Sequence, residues 1–569
     1  MTIKIYYGSM TLFFLSIGFV LQAQNIVPSN NKGNKKINCN NAAVVSAHPL
    51  ASKVGLLILK QGGNAIDAAI ATQLALAVVY PSAGNIGGGG FMVAHLKNGK
   101  NITIDYRETA PAKANRDMYL DANGNPQMNL SQDGHLACGV PGTIAGIFAC
   151  MKYAKLPFKK LIEPAIMLAQ NGFAISERFA KSLNELKPEF IALNTSPTVF
   201  VKNTDWKAGD TLVQKELAQT LKLIRDKGAK GFYEGETAQL IVNEMMKGKG
   251  ILSSEDLKNY KVAERVALEF DYRSYHIVSM PLPSSGGIIL QQVLKMIENK
   301  NIAAMKFQSA ESVQLIVEAE RRSFADRAKY LGDADFVKVP VKTLTSPSYL
   351  IERMKDFTPG KAGNSESIKE GIIKESEETT HLSVIDAAGN AVSVTTTLNG
   401  SYGSKTVVSG AGFILNNEMD DFSVKPGVAN MYGAVGAEAN AIAPGKRMLS
   451  SMTPTIVLKN NKPYLVVGTP GGTTIPTSII QSLVNMIDYN MSPDDAVNKP
   501  KFHHQWLPDE IYVENNFNAA SIVQLQKMGY KVVKRGAIGR TELIEIKAGN
   551  AKPITAIADN RGEDAAEGY

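Results

Sequence analysis

The chain has 569 residues, of which 44% are hydrophobic and 20% are charged, and this is the composition of a folded globular protein. It excludes a disordered, collagen-like or coiled-coil protein. The 61 Lys and Arg residues exceed the 53 Asp and Glu residues and give a formal net charge of +8. Because these basic residues are scattered along the chain, the charge does not indicate a nucleic-acid-binding protein.

The chain begins with the pattern of a secretory signal peptide over residues 1–23. Lys4 supplies a sparse positive charge, residues 11–21 form an apolar run, and the small Ala23 follows. The run is too short to span a bilayer, and no cysteine stands at the expected cleavage point for a lipid. We therefore expect a soluble mature protein that is periplasmic or secreted.

The predicted elements mix helices and antiparallel strands from the start, and the Asn98–Gly99 dipeptide is a strong hairpin signal. In chain order they are a strand at 42–47, a helix at 50–60, a helix opening at Asn64, a hairpin at 91–96 and 102–106, mainly helices from 141 to about 260, strands at 265–280, a turn at 281–287, and helices at 286–300 and 309–331.

The cysteines Cys39, Cys138 and Cys150 are too few and too irregularly spaced for a disulfide framework or a zinc site. The sequence leaves open whether one pair forms a disulfide in an oxidising compartment. A metal centre with sulfur ligands is not expected.

The chain changes character at residue 379. Segment 359–378 is polar and rich in Gly, Ser and Glu, which predicts an exposed tether. The runs 379–386 and 391–399 are rich in β-branched residues and are joined by Ala-Ala-Gly-Asn, which predicts a β-hairpin.

Pairing Asp386 with Ala391 across this hairpin predicts that Thr379 lies opposite Leu398, beside Thr397 on the neighbouring strand. Two hydroxyl groups then converge at one end of the hairpin, together with the amide of the following Asn399. Threonines in paired strands are usually structural, because β-branched residues suit a pleated sheet. The hairpin alone therefore does not identify a catalytic site.

Residues 375–423, ESEETTHLSVIDAAGNAVSVTTTLNGSYGSKTVVSGAGFILNNEMDDFS, closely resemble the start of the small subunit of gamma-glutamyltransferases, also called gamma-glutamyltranspeptidases. Further motifs of this family follow one another in the expected order along nearly all of the chain after the signal peptide. They are GGNAIDAA (62–69), GNIGGGGFM (84–92), DYRETAPAKA (105–114), VPGT (140–143), PLPSSGG (281–287), FADRAKYLGDADFVKVPV (324–341), KPGVANMYG (425–433), NAIAPGKRMLSSMTPTIV (440–457) and GTPGG (468–472).

The resemblance implies an α+β fold, the four-layer αββα sandwich of the N-terminal-nucleophile hydrolases. It also implies a precursor, or zymogen, that cuts itself between Glu378 and Thr379. The products would be a large subunit, 24–378, and a small subunit, 379–569, that stay together as a heterodimer. We expect no metal and no cofactor.

The same resemblance assigns the catalytic groups. Thr379 is the expected nucleophile in self-cleavage and in turnover, and its own α-amine, with a reference pKa of about 8, is the expected proton acceptor. A triad with His381 is not expected, since no Gly-x-Ser-x-Gly elbow accompanies it. Thr397 matches a threonine that hydrogen-bonds the nucleophile, with a purely structural role as the alternative. Gly471 and Gly472 match the oxyanion hole, with a tight turn as the alternative.

Substrate binding is expected to match the zwitterionic head of an α-amino acid. Arg107 matches the arginine that binds the α-carboxylate, because its planar fork suits that group better than lysine does. A further six residues match other contacts of the family. They are Ser450 and Ser451 for the carboxylate, Asn399, Glu418 and Asp421 for the α-ammonium group, and Tyr432 for an aromatic lid.

The resemblance implies hydrolysis and transfer of the γ-glutamyl group of glutathione and related compounds to water or to amino acid and peptide acceptors. One alternative is a related acylase that acts on glutaryl or other side-chain amides, and another is an uncleaved protein that only keeps the fold. Asp421 and Arg107 argue against the acylase, and the intact Thr379 argues against the inactive protein. The preferred acceptor, the ratio of hydrolysis to transfer, the physiological substrate and any higher oligomeric state stay open.

Overall fold

In the computed structural model, the described residues are 33–367, 379–431, 433–547, 549, 551 and 553–569. The expected signal peptide, Glu378 of the expected cleavage site and Tyr432 of the expected lid lie outside these residues. Within them, no helix combines the length and apolar character that a membrane span requires. All three cysteines are buried, and because Cys138 and Cys150 are free thiols, no disulfide links any pair of them.

The strands are numbered here in chain order. They are β1 Lys36–Cys39, β2 Ala43–Ser46, β3 Gly89–His95, β4 Asn101–Asp105, β5 Phe173–Ala174, β6 Thr211–Leu212, β7 Ala263–Arg265, β8 Leu268–Tyr272, β9 Tyr275–Ser279, β10 Thr380–Ile385, β11 Ala391–Thr397, β12 Thr455–Lys459, β13 Lys462–Gly468, β14 Phe502–His503, β15 Ile511–Glu514, β16 Val532–Arg535, β17 Glu542–Ile546, β18 Ile554–Ile557 and β19 Ala565–Gly568.

The α-helices are numbered in the same way. They are α1 Pro49–Lys60, α2 Ala65–Val79, α3 Met128–Gln132, α4 Thr143–Cys150, α5 Phe158–Asn171, α6 Glu177–Glu185, α7 Lys187–Leu193, α8 Lys215–Lys227, α9 Lys230–Tyr233, α10 Gly235–Lys247, α11 Ser254–Asn259, α12 Gly286–Ile297, α13 Ala310–Tyr330, α14 Val341–Leu344, α15 Pro347–Arg353, α16 Thr474–Ile487, α17 Pro493–Asn498 and α18 Ala519–Lys527.

Two antiparallel sheets of seven strands form the centre of the described structure. Their orders are β19-β2-β10-β11-β3-β4-β7 and β1-β18-β17-β13-β12-β9-β8. Neighbouring residues of β2 point to opposite faces of the first sheet: Val44 packs with the core of α1 and α2, whereas Val45 packs between the two sheets. Helices α12, α13 and α16 contribute to the core of the second sheet. These layers confirm the expected αββα sandwich.

The hairpin that carries Thr379 differs from the expected register by one residue. Ile385, and not Asp386, pairs with Ala391, so Thr379 does not lie opposite Leu398 as predicted. The turn has three residues, 387–389, with Gly389 at φ +87°, and the Asp386 carboxylate accepts the N–H groups of residues 388 and 390, each at 2.9 Å. Continued by one residue, the observed register brings Thr379 beside Thr397.

Strand β1 pairs with β18 at the edge of the second sheet. One further expectation is wrong in part. The expected tether is exposed at most positions from 359 to 367, but Ser365 is fully buried. Its hydroxyl donates to the Trp506 carbonyl at 2.7 Å, so the start of the tether is fixed to the body of the protein. Residues 368–378 are outside the described structure.

Candidate functional site

A cavity with an empty volume of about 310 Å³ lies where the central hairpin meets the loops that follow β4, β11 and β13. Nine of the residues expected from the sequence line it. They are Arg107, Thr379, Thr397, Asn399, Glu418, Asp421, Ser450, Ser451 and Gly472. These residues come from distant parts of the chain, and the fold brings them together at one cavity.

The end of the cavity that holds Thr379, the expected nucleophile, is called the nucleophile end here and is formed by the ends of two paired strands. Thr379 directly precedes β10 and is 4% exposed, and Thr397 is the last residue of β11. The backbone N–H of Asn399 donates to the Thr397 hydroxyl oxygen at 2.8 Å. Because that oxygen already accepts a hydrogen bond, the hydroxyl hydrogen of Thr397 is available to a partner in the cavity.

The cavity wall next to this end is the N-terminus of α16. Gly471 and Gly472 have φ values of +132° and +52°, which favour glycine. The backbone N–H of Thr474 donates to the Gly471 carbonyl at 2.9 Å and closes the turn. Gly472 lines the cavity, whereas Gly471 is not among the lining residues. Backbone N–H groups at a helix N-terminus stabilise negative charge, so this wall suits an oxyanion.

The recognition end of the cavity is built around one guanidinium group. Arg107 is 1% exposed and lies just after β4, where its backbone N–H donates to Asp105 Oδ1 at 2.9 Å. Its Nη1 donates to Glu418 Oε1 and its Nη2 donates to Asp421 Oδ2. The residues expected to bind the two oppositely charged groups of a substrate's head therefore bind one another.

A short 3₁₀ turn, Glu418–Asp421, presents both acids to Arg107. Asn416 anchors its start, since its Oδ1 accepts the backbone N–H groups of Glu418 at 3.0 Å and of Gly139 at 2.9 Å. At the other end of the turn, Asn430 Nδ2 donates to Asp421 Oδ1 at 2.8 Å. The acids are thus held by uncharged hydrogen bonds as well as by Arg107.

Burial dominates the electrostatics of this end. It raises the pKa of Glu418 well above its ordinary value; Arg107 opposes the shift, and Glu108 and Asp421 add to it. Burial also raises the pKa of Asp421, although Arg107 and Arg327 oppose it. The site holds more buried carboxyl groups than its arginines neutralise. A ligand that brings an ammonium group would favour their ionised forms.

Ser450 and Ser451 form one side of the cavity, called the serine wall here. A pairing between two loops holds it in place. Ser450 donates its backbone N–H to the Pro283 carbonyl at 2.9 Å, and its carbonyl accepts the backbone N–H of Ser285 at 2.7 Å. The Ser450 hydroxyl oxygen accepts the backbone N–H of Met452 at 3.1 Å. Ser450 and Ser451 are therefore held at the cavity by their backbones, and their hydroxyl groups are short, polar and able to donate.

Six lining residues were not anticipated from the sequence, namely Arg327, Asn430, Ala434, Met452, Thr473 and Ile475. Arg327 had a visible signal, because it stands in the motif 324–341 as a charged residue between the buried Ala325 and Ala328. Apolar neighbours such as Ile475 carry no such signal.

His381 does not take part in the cavity. Its fully buried ring hydrogen-bonds Thr395 Oγ1 at 2.9 Å and Ser383 Oγ at 3.1 Å. Burial lowers the pKa of His381 to about 3, so the ring is neutral at physiological pH. Across the described residues, no cluster of three or more His, Cys, Asp or Glu side chains is arranged to hold a metal ion.

The family model described as gamma-glutamyltranspeptidase matches residues 51–569 of the chain. The glutathione hydrolase proenzyme of Escherichia coli (strain K12) is 47% identical over 508 residues, which cover 88% of each chain. The solved structure of Helicobacter pylori gamma-glutamyltranspeptidase is 48% identical and has a TM-score of 0.56, covering 57% of this chain and 94% of its own. The cephalosporin acylase from Bacillus halodurans is 26% identical with a TM-score of 0.82, covering 95% and 98%.

Proposed function

Because the chain belongs to the gamma-glutamyltranspeptidase family, an enzyme family with γ-glutamyl hydrolase and transferase activity, we propose that it takes the γ-glutamyl group from glutathione and other γ-glutamyl compounds. The acceptors are water and amino acids or peptides. The observation that carries this proposal is one cavity that joins a threonine just before a strand to a buried arginine, the buried Glu418 and the largely buried Asp421.

The first step is self-cleavage before Thr379. Its hydroxyl attacks the Glu378 carbonyl, the peptide C–N bond breaks as an ester forms, and water hydrolyses the ester to leave a free α-amine on Thr379. The fragments 24–378 and 379–569 stay together as a heterodimer. The sheet supports this, because β10 and β11 of the small fragment pair with β2 and β3 of the large one.

In turnover, the Thr379 hydroxyl attacks the γ-carbonyl carbon of the donor while the α-amine of the same residue accepts the proton. The Thr397 hydroxyl donates to the nucleophile, and the backbone N–H at Gly472 donates to the oxyanion. The C–N bond to the leaving amine breaks, and that amine takes the proton. Water or an acceptor amine then attacks the γ-glutamyl-threonyl ester and restores Thr379.

The donor's head group is held at the other end of the cavity. Its α-ammonium group binds Asp421, Glu418 and Asn399, and its α-carboxylate binds Arg107 with Ser450 and Ser451. Binding replaces part of the ion pairing within the protein by ion pairing with the ligand, which keeps each buried charge compensated. We also propose that the enzyme is exported, on the strength of the signal-peptide pattern at 1–23.

An acylase activity is the second candidate, since an acylase shares the fold across nearly the whole chain. The acids at the recognition end argue against it. A glutaryl donor has no ammonium group and would leave Asp421 without a ligand partner in a buried site.

The decisive experiment is intact mass measurement and N-terminal sequencing of the purified protein, followed by assays with γ-glutamyl-anilide and glutaryl-anilide. We expect two chains, the smaller one beginning at Thr379, and release of aniline mainly from the γ-glutamyl compound. A dipeptide acceptor should increase the rate. An uncut, inactive chain would refute the proposal, and faster release from glutaryl-anilide would support the acylase.

A further inference from the structure

Arg327 is a buried guanidinium group at the cavity that the sequence did not assign to any role. It lies near the end of α13, is 6% exposed, and lines the cavity together with Thr379 and Asp421. Its Nε donates to Ser285 Oγ at 3.1 Å. Among the described residues it forms no ion pair, whereas the equally buried Arg107, Arg321 and Arg322 each pair with a carboxylate.

A buried cation without a carboxylate partner is costly, so its presence in a cavity points to an anionic ligand. Burial lowers the pKa of Arg327 to about 10, with Asp421 opposing the shift. The guanidinium group is therefore still charged at neutral pH and can bind an anion there.

The surroundings of Arg327 indicate which anion. Ser285, which accepts its Nε hydrogen, donates its own hydroxyl to the Ser450 carbonyl at 2.7 Å. Arg327 is thus tied to the serine wall, the side of the cavity with short hydroxyl donors. The group that fits two hydroxyl donors and a planar guanidinium is a carboxylate.

The charges lead to the same conclusion. Arg107 already pairs with Glu418, Asp421 and, at 3.7 Å, Glu108, so a donor carboxylate held by Arg107 alone would be the fourth carboxylate on one cation. With Arg327 included, two cations instead of one face these three acids. The second cation reduces the excess of carboxyl groups at the recognition end, which favours binding of a ligand carboxylate there.

We propose that Arg327 is a second arginine for the donor's α-carboxylate, which it binds together with Arg107 and the serine wall. This inference rests on the proposed function, because it concerns the head group of a γ-glutamyl donor. Arg327 is then a specificity-determining residue: it makes the enzyme require a carboxylate at the α-carbon.

The test compares kcat/KM for three anilides. The γ-glutamyl compound carries both head groups, the glutaryl compound lacks the ammonium group, and the 4-aminobutyryl compound lacks the carboxylate. We expect Arg327→Met to lower kcat/KM about ten- to a hundred-fold for the two carboxylate-bearing donors, mainly through KM, and to leave the 4-aminobutyryl donor unchanged. Arg327→Lys, which keeps the charge, should restore part of the loss.

Each other result refutes the inference. An equal loss with all three donors would mean a structural role. A loss confined to the two ammonium-bearing donors would mean that Arg327 acts through Asp421. If Arg327→Met does not fold, Arg327→Lys is measured on the same donors. It should lower kcat/KM less strongly, and again only for the two carboxylate-bearing donors. Failure of the wild-type enzyme on γ-glutamyl-anilide would instead refute the proposed function itself.

Discussion

The two ends of the cavity are built by different means. The nucleophile end consists of neutral groups, Thr379, Thr397 and the turn at Gly472, which lie on neighbouring strands or at a helix start. The recognition end consists of charged groups from three separate segments, Arg107, Arg327 and the acids of the 418–421 turn.

This difference shows what each kind of group needs from the fold. Neutral groups can be buried when backbone hydrogen bonds satisfy them, and sheets and helix ends supply such bonds. Buried charges are costly unless opposite charges compensate them, so the recognition end depends on the complete tertiary structure. The following predictions separate these two requirements.

The nucleophile end should fail completely when its hydroxyl is lost. We expect Thr379→Ala to remain an uncut chain and to lose at least about a thousand-fold in activity, because no other group supplies the attacking oxygen. Thr379→Ser should keep part of the self-cleavage and part of the enzymatic activity, because its hydroxyl group remains. Gel analysis and the γ-glutamyl-anilide assay measure the two effects.

Thr380→Val is the matched control for this experiment. The neighbouring Thr380 hydroxyl is buried and has no hydrogen-bond partner among the described residues, so its removal should leave cleavage and activity intact. Efficient processing of Thr379→Ala would disprove the mechanism of self-cleavage.

The sequence predicted the nucleophile end better than the recognition end. Strand patterns bring Thr379 and Thr397 together, with an error of only one residue in register, because pairing within a hairpin is local. The direct pairing of Arg107 with Glu418 is not predictable in this way, since 311 positions separate the two residues. Arg327 was missed for the same reason: only the folded structure places it at the cavity together with Thr379 and Asp421.

At the recognition end, Arg107→Lys should lower kcat/KM for γ-glutamyl donors by roughly a hundred-fold, mainly by raising KM. A single ammonium group cannot replace a fork that holds two acids and a substrate carboxylate. Self-cleavage should be spared, because it needs only the other end of the cavity. Unchanged KM values for γ-glutamyl donors would exclude a role of Arg107 in carboxylate binding.

Asp421→Asn should have a smaller effect that depends on the donor. It removes the charge that faces the α-ammonium group but keeps the shape, so we expect about a thirty-fold loss of kcat/KM with γ-glutamyl-anilide. Glutaryl-anilide has no ammonium group, so its kcat/KM should rise relative to that of γ-glutamyl-anilide. If the ratio of the two donors does not change, Asp421 does not recognise the amino group.

The strand that follows the nucleophile carries a buried histidine that lowers the stability of the fold in acid. Burial lowers the pKa of His381, on the strand of the nucleophile, from 6.5 to about 3. Between these values the unfolded chain binds a proton that the folded protein does not, so stability falls as the pH falls from 6.5 towards 3. Above pH 6.5 the ring is neutral in both states and contributes no pH dependence.

His381→Gln should therefore reduce the loss of stability between pH 7 and pH 5 by about 2 kcal/mol, since each pKa unit corresponds to about 1.4 kcal/mol. The measurement is the free energy of unfolding in urea at both pH values.

His276→Gln is the control of opposite sign: burial lowers the pKa of His276, but hydrogen bonds to Glu269 and Asp271 outweigh this and raise it. Its protonated form stabilises the fold below pH 6.5, so removing it should increase the loss in acid. If both variants keep the wild-type difference between pH 7 and pH 5, neither histidine contributes to the acid sensitivity of the fold.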